Sequence, residues 1–501
     1  MDYDINWFDS RVCLTPNETA IIDSQTNESW TYAELQQRVA KVANFFYEKG
    51  IQKGDRVAIL APNHIAYFDF FFAVMKIGAI FIPLNWRLSE AELEYVIKDC
   101  KPKIIGVDPI FMEKLESMET NASFVMIDDN EYLNSCQSGQ YAIDTVINEE
   151  DPLAMIYTGG TTGQPKGVVL SHRSILWNAL NTTISWNLSQ DDTTLTCLPM
   201  FHTGGLNVYS LPLLLVGGKV VIASDFDADR AVEDILKYKC TVVLFVPTMY
   251  HMIIQTDLFK RSNFPHMKVF VSGGAPCPLK IYHAFSKKGL AFKEGYGLTE
   301  AGPNNFYIDS KDTALKLGSV GKPMIFNDIK IIREDGVIVK ADEVGELLLR
   351  GKHGFEYYWN KPEATKETIK DGWIHTGDLA RMDEDGFVYI VGRKKDMIIT
   401  GGENVYPLEV EHWLESHVAI DEAAVVGLPD DKWGEVVVAF VVSKVELSDQ
   451  ELEMFCNQKI TRYKVPKKFF FLKELPKTHV GKINKVALQE KFSDYKDSTV
   501  S

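Results

Sequence analysis

The stretch Leu153-Ala-Met-Ile-Tyr-Thr-Gly-Gly-Thr-Thr-Gly-Gln-Pro-Lys-Gly167 runs from a short apolar segment into a glycine loop, and a helix pattern opens beyond it near Ser171. Four glycines, at 159, 160, 163 and 167, let backbone N–H groups converge on an anion with no Cβ in the way. Thr158, Thr161 and Thr162 add hydroxyl donors, and Lys166 adds a positive charge. The spacing is not that of a Walker loop, which needs G-x-x-x-x-G-K followed by Ser or Thr. A Gly/Thr run taken alone serves equally well as a plain flexible turn, so its surroundings decide.

From about residue 30 to 300 those surroundings alternate between helix and strand patterns. Thr31 with Glu34, and Ser89 with Glu92, read as capping boxes that open amphipathic helices. Between and after them come apolar, β-branched runs: Val57–Leu60, Ala79–Leu84, Lys103–Val107, Thr241–Pro247 and Lys268–Ser272. Continuous apolar strands alternating with helices predict an α/β fold whose parallel sheets are covered on both faces. Past about 320, Asp328–Arg333, Glu346–Arg350 and Gly386–Val391 are separated by Glu-Asp-Gly and Asp-Glu-Asp-Gly turns. These predict a β-rich subdomain over about 320–392. A charged turn at Gly392–Asp396 then marks the expected boundary between a large N-terminal domain, 1–392, and a small α+β domain, 393–501.

Composition bounds the rest. The 501 residues are 46% hydrophobic and 24% charged, with a formal net charge of −16. Such an acidic chain is a poor general partner for nucleic acid, whose phosphates demand a basic footprint. The seven cysteines are scattered and odd in number, without a C-x-x-C pair, which fits a reducing, cytoplasmic setting rather than a disulfide framework. The first residues lack the basic and apolar regions of a signal peptide. The most apolar stretch, Tyr67–Leu84, is interrupted by Asp69 and Lys76, so no transmembrane segment is expected. Peripheral membrane contact with a lipid substrate stays open, although no basic amphipathic helix supports it.

The glycine loop resembles the phosphate-binding signature of the adenylate-forming superfamily, which contains acyl-CoA synthetases, peptide-synthetase adenylation domains and luciferases. Gly159 stands where that family usually has Ser. The resemblance continues in order along the chain. Pro199-Met-Phe-His-Thr-Gly-Gly205 looks like the acid-pocket motif and Gly295-Tyr-Gly-Leu-Thr-Glu300 like the adenine and magnesium motif. Thr376-Gly-Asp378 resembles the ribose motif, Gly392-Arg-Lys-Lys-Asp396 the hinge, and Pro476-Lys-Thr-His-Val-Gly-Lys482 the catalytic-lysine loop. The match spans about residues 10–490, and the wording of the C-terminal half is nearest to fatty-acyl-CoA synthetases.

The resemblance implies an ATP- and Mg²⁺-dependent ligase that makes an acyl-adenylate and passes the acyl group to coenzyme A. Lys482 would stabilise charge on the carboxylate and α-phosphate, where the plain alternative is a surface lysine. Glu300 would hold Mg²⁺ and Thr299 the α-phosphate, with His202 as a gate beside them. ATP and AMP would be held by Thr158, Gly159, Gly160, Thr161, Thr162, Gly163, Lys166, Gly274, Ala275, Tyr296, Gly297, Asp378 and Arg393. A core tyrosine with a satisfied hydroxyl is the plain alternative for Tyr296, and an interdomain salt bridge that for Asp378 and Arg393. Gly204, Gly205, Pro247, Ser272 and Gly273 would line the acyl pocket, Gly401 and Gly402 the CoA path, and Lys395 would be the hinge. Residues 464–485 carry seven lysines against one glutamate, a patch suited to a polyanion or simply a solvated face. The expected acid is a medium- or long-chain fatty acid, with aryl acids second. An amino-acid adenylating enzyme, a luciferase-type oxygenase and a non-catalytic sensor are weaker readings. The first lacks an acidic residue in Asn207-Val-Tyr-Ser210, and the last has no need of Lys166, Glu300, Asp378 and Lys482 together.

Overall fold

The computed structural model describes residues 6–127, 133, 145–159, 164–430, 432–478 and 482–492. Two seven-stranded sheets make up the first two-thirds of the chain. One has the order 357–358, 166–171, 152–158, 80–83, 56–60, 104–107 and 123–126, and its last five strands run parallel. The other has the order 292–294, 269–272, 242–245, 193–196, 219–222, 19–23 and 29–31, parallel except for its final hairpin. The strand runs read from the sequence all fall in these sheets, and the Thr31 and Ser89 capping boxes form with both reciprocal hydrogen bonds. An antiparallel sheet built from 328–332, 345–350, 369–370, 373–382 and 388–393 follows, and a five-stranded sheet over 398–471 completes the chain. The fold is thus mixed α/β with parallel-rich sheets and a C-terminal unit, as the alternation predicts.

The run Tyr67–Leu84 explains itself in this setting. It forms the helix Ala66–Ile77, ended by Gly78 at φ +72°, and then the strand Ile80–Pro83. Phe68, Phe70, Phe71 and Phe72 point into the core from all round that helix and are fully buried. Asp69 is 0% exposed, and its charge is met by Arg38 on the helix Tyr32–Glu48, with Nε–Oδ1 at 3.0 Å and Nη2–Oδ2 at 2.7 Å. Among the described residues no helix is long and apolar enough to cross a membrane.

The strand that follows the glycine loop was not read from the sequence. The glycine loop does not pass straight into a helix: Lys166–Ser171 is a strand antiparallel to Pro152–Thr158, and the helix His172–Ser185 begins only after it, capped by Ser171. The described arms of the loop are therefore paired antiparallel strands, with Thr158 opposite Lys166.

Breaking a buried, bidentate ion pair from one side leaves an uncompensated charge. Asp69→Ala is expected to cost about 3–5 kcal/mol, seen as a lower thermal midpoint. The double change Arg38→Met with Asp69→Leu should recover most of that loss.

Candidate active site

In a parallel sheet every strand ends at the same edge, so the loops that follow neighbouring strands meet there. Four adjacent strands of the second sheet, 193–196, 242–245, 269–272 and 292–294, deliver the sequence motifs in this way. The first leads to His202–Gly205, the second to Pro247 at the start of the helix Pro247–Ile253, the third to Gly273–Ala275, and the fourth to Gly295–Glu300. Gly295 N–H donates to Ser272 O at 2.8 Å, holding the last two loops side by side. Gly274 has φ +82°, a left-handed conformation that favours glycine. Gly297 is fixed by crowding, since a Cβ there would lie 2.1 Å from Pro303 O. Gly205 likewise presses on backbone, 2.5 Å from Pro199 O, whereas Gly204 has room, its nearest neighbour being Leu198 Cδ1 at 3.5 Å. Beneath Gly204 and Gly205 runs a narrow crevice floored by Thr194, Thr196, Tyr209 and Ser210.

The charged groups gather across this edge. Asp378 is buried; Arg393 Nε meets its Oδ1 at 2.7 Å, and Tyr296 O–H donates to Oδ2 at 2.5 Å. The ion pair runs between register partners on strands 373–382 and 388–393, so it is a cross-strand contact. Burial raises the Asp378 carboxyl pKa, against the pull of Arg393, Tyr296 and Lys482. Lys482 faces the cleft. The protein around it lowers its ammonium pKa, Arg393 lowers it further, and Asp378 and Glu300 act in the opposite direction. Glu300 and the buried Thr299 lie on the short 3-10 turn Thr299–Ala301, where Tyr358 O–H donates to Glu300 Oε1 at 2.7 Å. Lys166 Nζ sits over the Tyr358 ring, 4.8 Å from its centre. His202 packs against Phe201 with ring centres 4.8 Å apart. Its pKa is pushed down to about 4 by burial, then by Lys482 and Arg87, so its ring is neutral at physiological pH.

Most sequence-predicted residues are thus brought together: His202, Thr299, Glu300, Tyr296, Asp378, Arg393 and Lys482 share one cleft. Thr158 and Lys166 pair across the base of the glycine hairpin, while Gly160, Thr161, Thr162 and Gly163 lie outside the described residues. Gly401 and Gly402 are not joined to this cleft by any contact among the described residues. They form the two-residue turn of the hairpin 398–405, with φ +58° and +85°, and the turn alone accounts for both glycines. Gly401 N–H donates to Trp433 O at 2.8 Å. Lys395 is exposed on the turn Lys394–Asp396. The lysine-rich patch is largely a set of ion pairs: Lys464 with Glu409, Lys468 with Asp449, Lys477 with Glu422 and Lys485 with Glu411. Those four lysines serve packing within the C-terminal unit, which removes most of the expected polyanion patch. Tyr358 was missed because the aromatic run Phe355–Trp359 has neither helical nor strand periodicity.

The site fits its implied partners. No cluster of three or more His, Cys, Asp or Glu side chains able to hold a metal occurs among the described residues. A lone Glu300 is the arrangement Mg²⁺ takes when substrate phosphates supply the remaining ligands. A buried carboxylate beside a guanidinium suits a ribose diol.

Fold and cleft together define an AMP-forming acid–CoA ligase that works with ATP, Mg²⁺ and CoA. The chain belongs to the AMP-binding enzyme family, whose model matches residues 8–359, while the AMP-binding enzyme C-terminal domain model matches 409–482. It is 36% identical to a feruloyl-CoA synthase of Amycolatopsis sp, over 97% of this chain and 98% of that one. It is 35% identical to an indoleacetate–CoA ligase of Aromatoleum aromaticum over 96% of each chain. A long-chain-fatty-acid–CoA ligase of Mycobacterium tuberculosis shows 33% identity, over 96% of this chain and 97% of that one. Among solved structures, ATP-bound MatB from Rhodopseudomonas palustris superposes with a TM-score of 0.91 at 30% identity, covering 98% and 99% of the two chains. The o-succinylbenzoate CoA synthetase of Bacillus subtilis with its acyl-adenylate OSB-AMP gives 0.88 at 30% identity, covering 99% of each.

Two glycines separate packing from ligand roles. Gly297→Ala is expected to abolish ATP binding, because its Cβ collides with Pro303 O. Among the described residues nothing lies within 4 Å of a Cβ added at Gly159, so Gly159→Ala should leave the fold intact, with ATP affinity within about threefold; nucleotide titration measures both. A pH test follows from His172, His202 and His353, each with its pKa lowered by burial to about 4 from 6.5. The unfolded chain takes up these protons first, so the stability they contribute is full above pH 6.5 and is lost as pH falls towards 4. The melting temperature should decline over that window, and decline less in His172→Gln.

Proposed function

We propose that the enzyme activates a hydrophobic monocarboxylic acid, aryl or arylalkyl in first place. The observation that carries this is the acid edge of the cleft. His202–Leu206, Pro247–Met249, Ser272–Ala275 and Gly297–Gly302 contain no Lys or Arg to bind a second carboxylate. The crevice below them is narrow and lined by Thr194, Thr196, Tyr209 and Ser210 together with Leu195, Leu198 and Leu244. The feruloyl and indoleacetate relatives support this order, which reverses the one expected from sequence. Medium- and long-chain fatty acids are the second reading, supported by the Mycobacterium tuberculosis relative.

In the first half-reaction the acid's carboxylate attacks the α-phosphorus of ATP and pyrophosphate leaves. Lys482 stabilises the charge that builds between carboxylate and α-phosphate, Thr299 donates to the same phosphate, and Asp378 and Arg393 fix the ribose. Glu300 would hold Mg²⁺, which would supply charge neutralisation for the triphosphate. Gly274, Ala275, Tyr296 and Gly297 form the adenine wall. In the second half-reaction the CoA thiol displaces AMP from the mixed anhydride past the neutral His202. The unit 393–501 turns about Lys395 relative to 1–392, withdrawing Lys482 and presenting Gly401–Gly402 to pantetheine. Six free cysteines among the described residues support a reducing, cytoplasmic setting.

An ATP–pyrophosphate exchange survey tests the substrate. Cinnamates, phenylacetates and benzoates are expected to stimulate exchange above saturated acids of six to eighteen carbons, and the opposite ranking would establish the fatty-acid reading. Lys482→Ala should slow adenylation by about 10²–10³ while leaving thioesterification of supplied acyl-AMP largely intact. Equal loss of both half-reactions would contradict the division of labour.

A further inference from the structure

The segment 355–359 joins the two motifs that handle the triphosphate. Phe355 N–H donates to Glu300 O at 2.8 Å, Glu356 N–H to Val169 O at 2.9 Å, and Trp359 N–H to Gly167 O at 2.8 Å. Tyr357 and Tyr358 pair in register with Val169 and Val168, on the strand that returns from the glycine loop. Glu356 is anchored in turn by Ser171 Oγ and Arg173 Nη2, each 2.6 Å from Oε1. The segment therefore straps the returning arm of the glycine hairpin to the turn that carries Glu300. Tyr358, 6% exposed and packed on Phe355, is the only side chain among the described residues that touches both functional groups, with its hydroxyl on Glu300 Oε1 and its ring under Lys166 Nζ.

We propose that Tyr358 is a positioning residue for the metal–triphosphate end of the site. Its hydroxyl commits one oxygen of Glu300, leaving the other for a cation, and its ring carries the Lys166 ammonium. One buried side chain thus sets the spacing between the cleft's carboxylate and its loop cation. Neither Glu300 nor Lys166 has a rigid stem, and without such a brace each would sample many rotamers before meeting metal and phosphate. The arrangement matches the general pattern in which a group behind a metal ligand fixes its orientation. The inference rests on the roles proposed above for Glu300 and Lys166.

The test is equilibrium binding of ATP to the full chain across a Mg²⁺ titration and in EDTA, with neither acid nor CoA present, so that no turnover enters the readout. Tyr358→Phe keeps the ring and removes the hydroxyl. It is expected to raise the Mg²⁺ concentration for half-maximal enhancement of ATP binding about 10-fold, while metal-free ATP affinity stays within about twofold. Tyr358→Leu should also weaken metal-free binding, because Lys166 loses its ring. Tyr358→Phe with an unchanged Mg²⁺ dependence, or with equal losses with and without metal, would overturn the proposal. Glu300→Gln separates the two levels. If it leaves the Mg²⁺ dependence unaltered, the Glu300 assignment itself falls; if it shifts the dependence and Tyr358→Phe does not, only the role of Tyr358 falls.

Discussion

A buried carboxylate must be compensated, and the way Asp378 is compensated ties the molecule together. Tyr296 arrives from the loop after the last parallel strand, Arg393 from the end of the antiparallel sheet, and Lys482 from the C-terminal unit. No one of these suffices. The direct ion pair is half open to solvent at Arg393, the tyrosine offers a single neutral donor, and Lys482 acts through space. Together they keep a charge in a site that also needs a polar anchor for a nucleotide. Burial and Arg393 hold Lys482 below the usual lysine range, and Asp378 and Glu300 act against them, so the cation lies next to carboxylates that help keep it charged.

The parallel sheets supply the frame in which this is achieved. Strands hydrogen-bonded in parallel end together, so four loops far apart in sequence open onto one edge. The glycine hairpin belongs to the other seven-stranded sheet and needs a separate link. The segment 355–359 provides it by pairing with the hairpin's returning strand and bonding to the Glu300 turn.

The fold and the catalytic groups were legible in the sequence for different reasons. The buried parallel strands read as uninterrupted apolar runs because both of their faces are covered, and the capping boxes fix helix starts through backbone chemistry that any helix shares. The strand 166–171 escaped notice because Pro165 and Gly167 resemble turn residues. Gly167 is instead demanded by packing, since a Cβ there would lie 2.6 Å from Met155 Sδ. The lysines of 464–485 misled because local charge shows no partners: Glu409, Glu411 and Glu422 lie far back in the chain and become visible only once the sheet forms. Tyr358 carries no local signature, because its importance comes from two groups it meets only in three dimensions.

The identity of the acid is less legible than the chemistry, and the structure shows why. Lys482, Glu300 and Asp378 stand in ordered motifs, and the resemblance of those motifs is what implies their roles. The acid edge is made largely of backbone: Gly205 presses on Pro199 O, Gly297 on Pro303 O, and Gly273 and Gly274 follow a strand end. Glycines of that kind report where main chains approach one another and say little about what fills the space they leave. One layer deeper, the Thr196 and Ser210 hydroxyls meet at 3.0 Å and Ser210 Oγ also donates to Gly205 O at 2.7 Å. A hydroxyl already engaged with backbone and neighbour has one acceptor site to spare rather than a free donor.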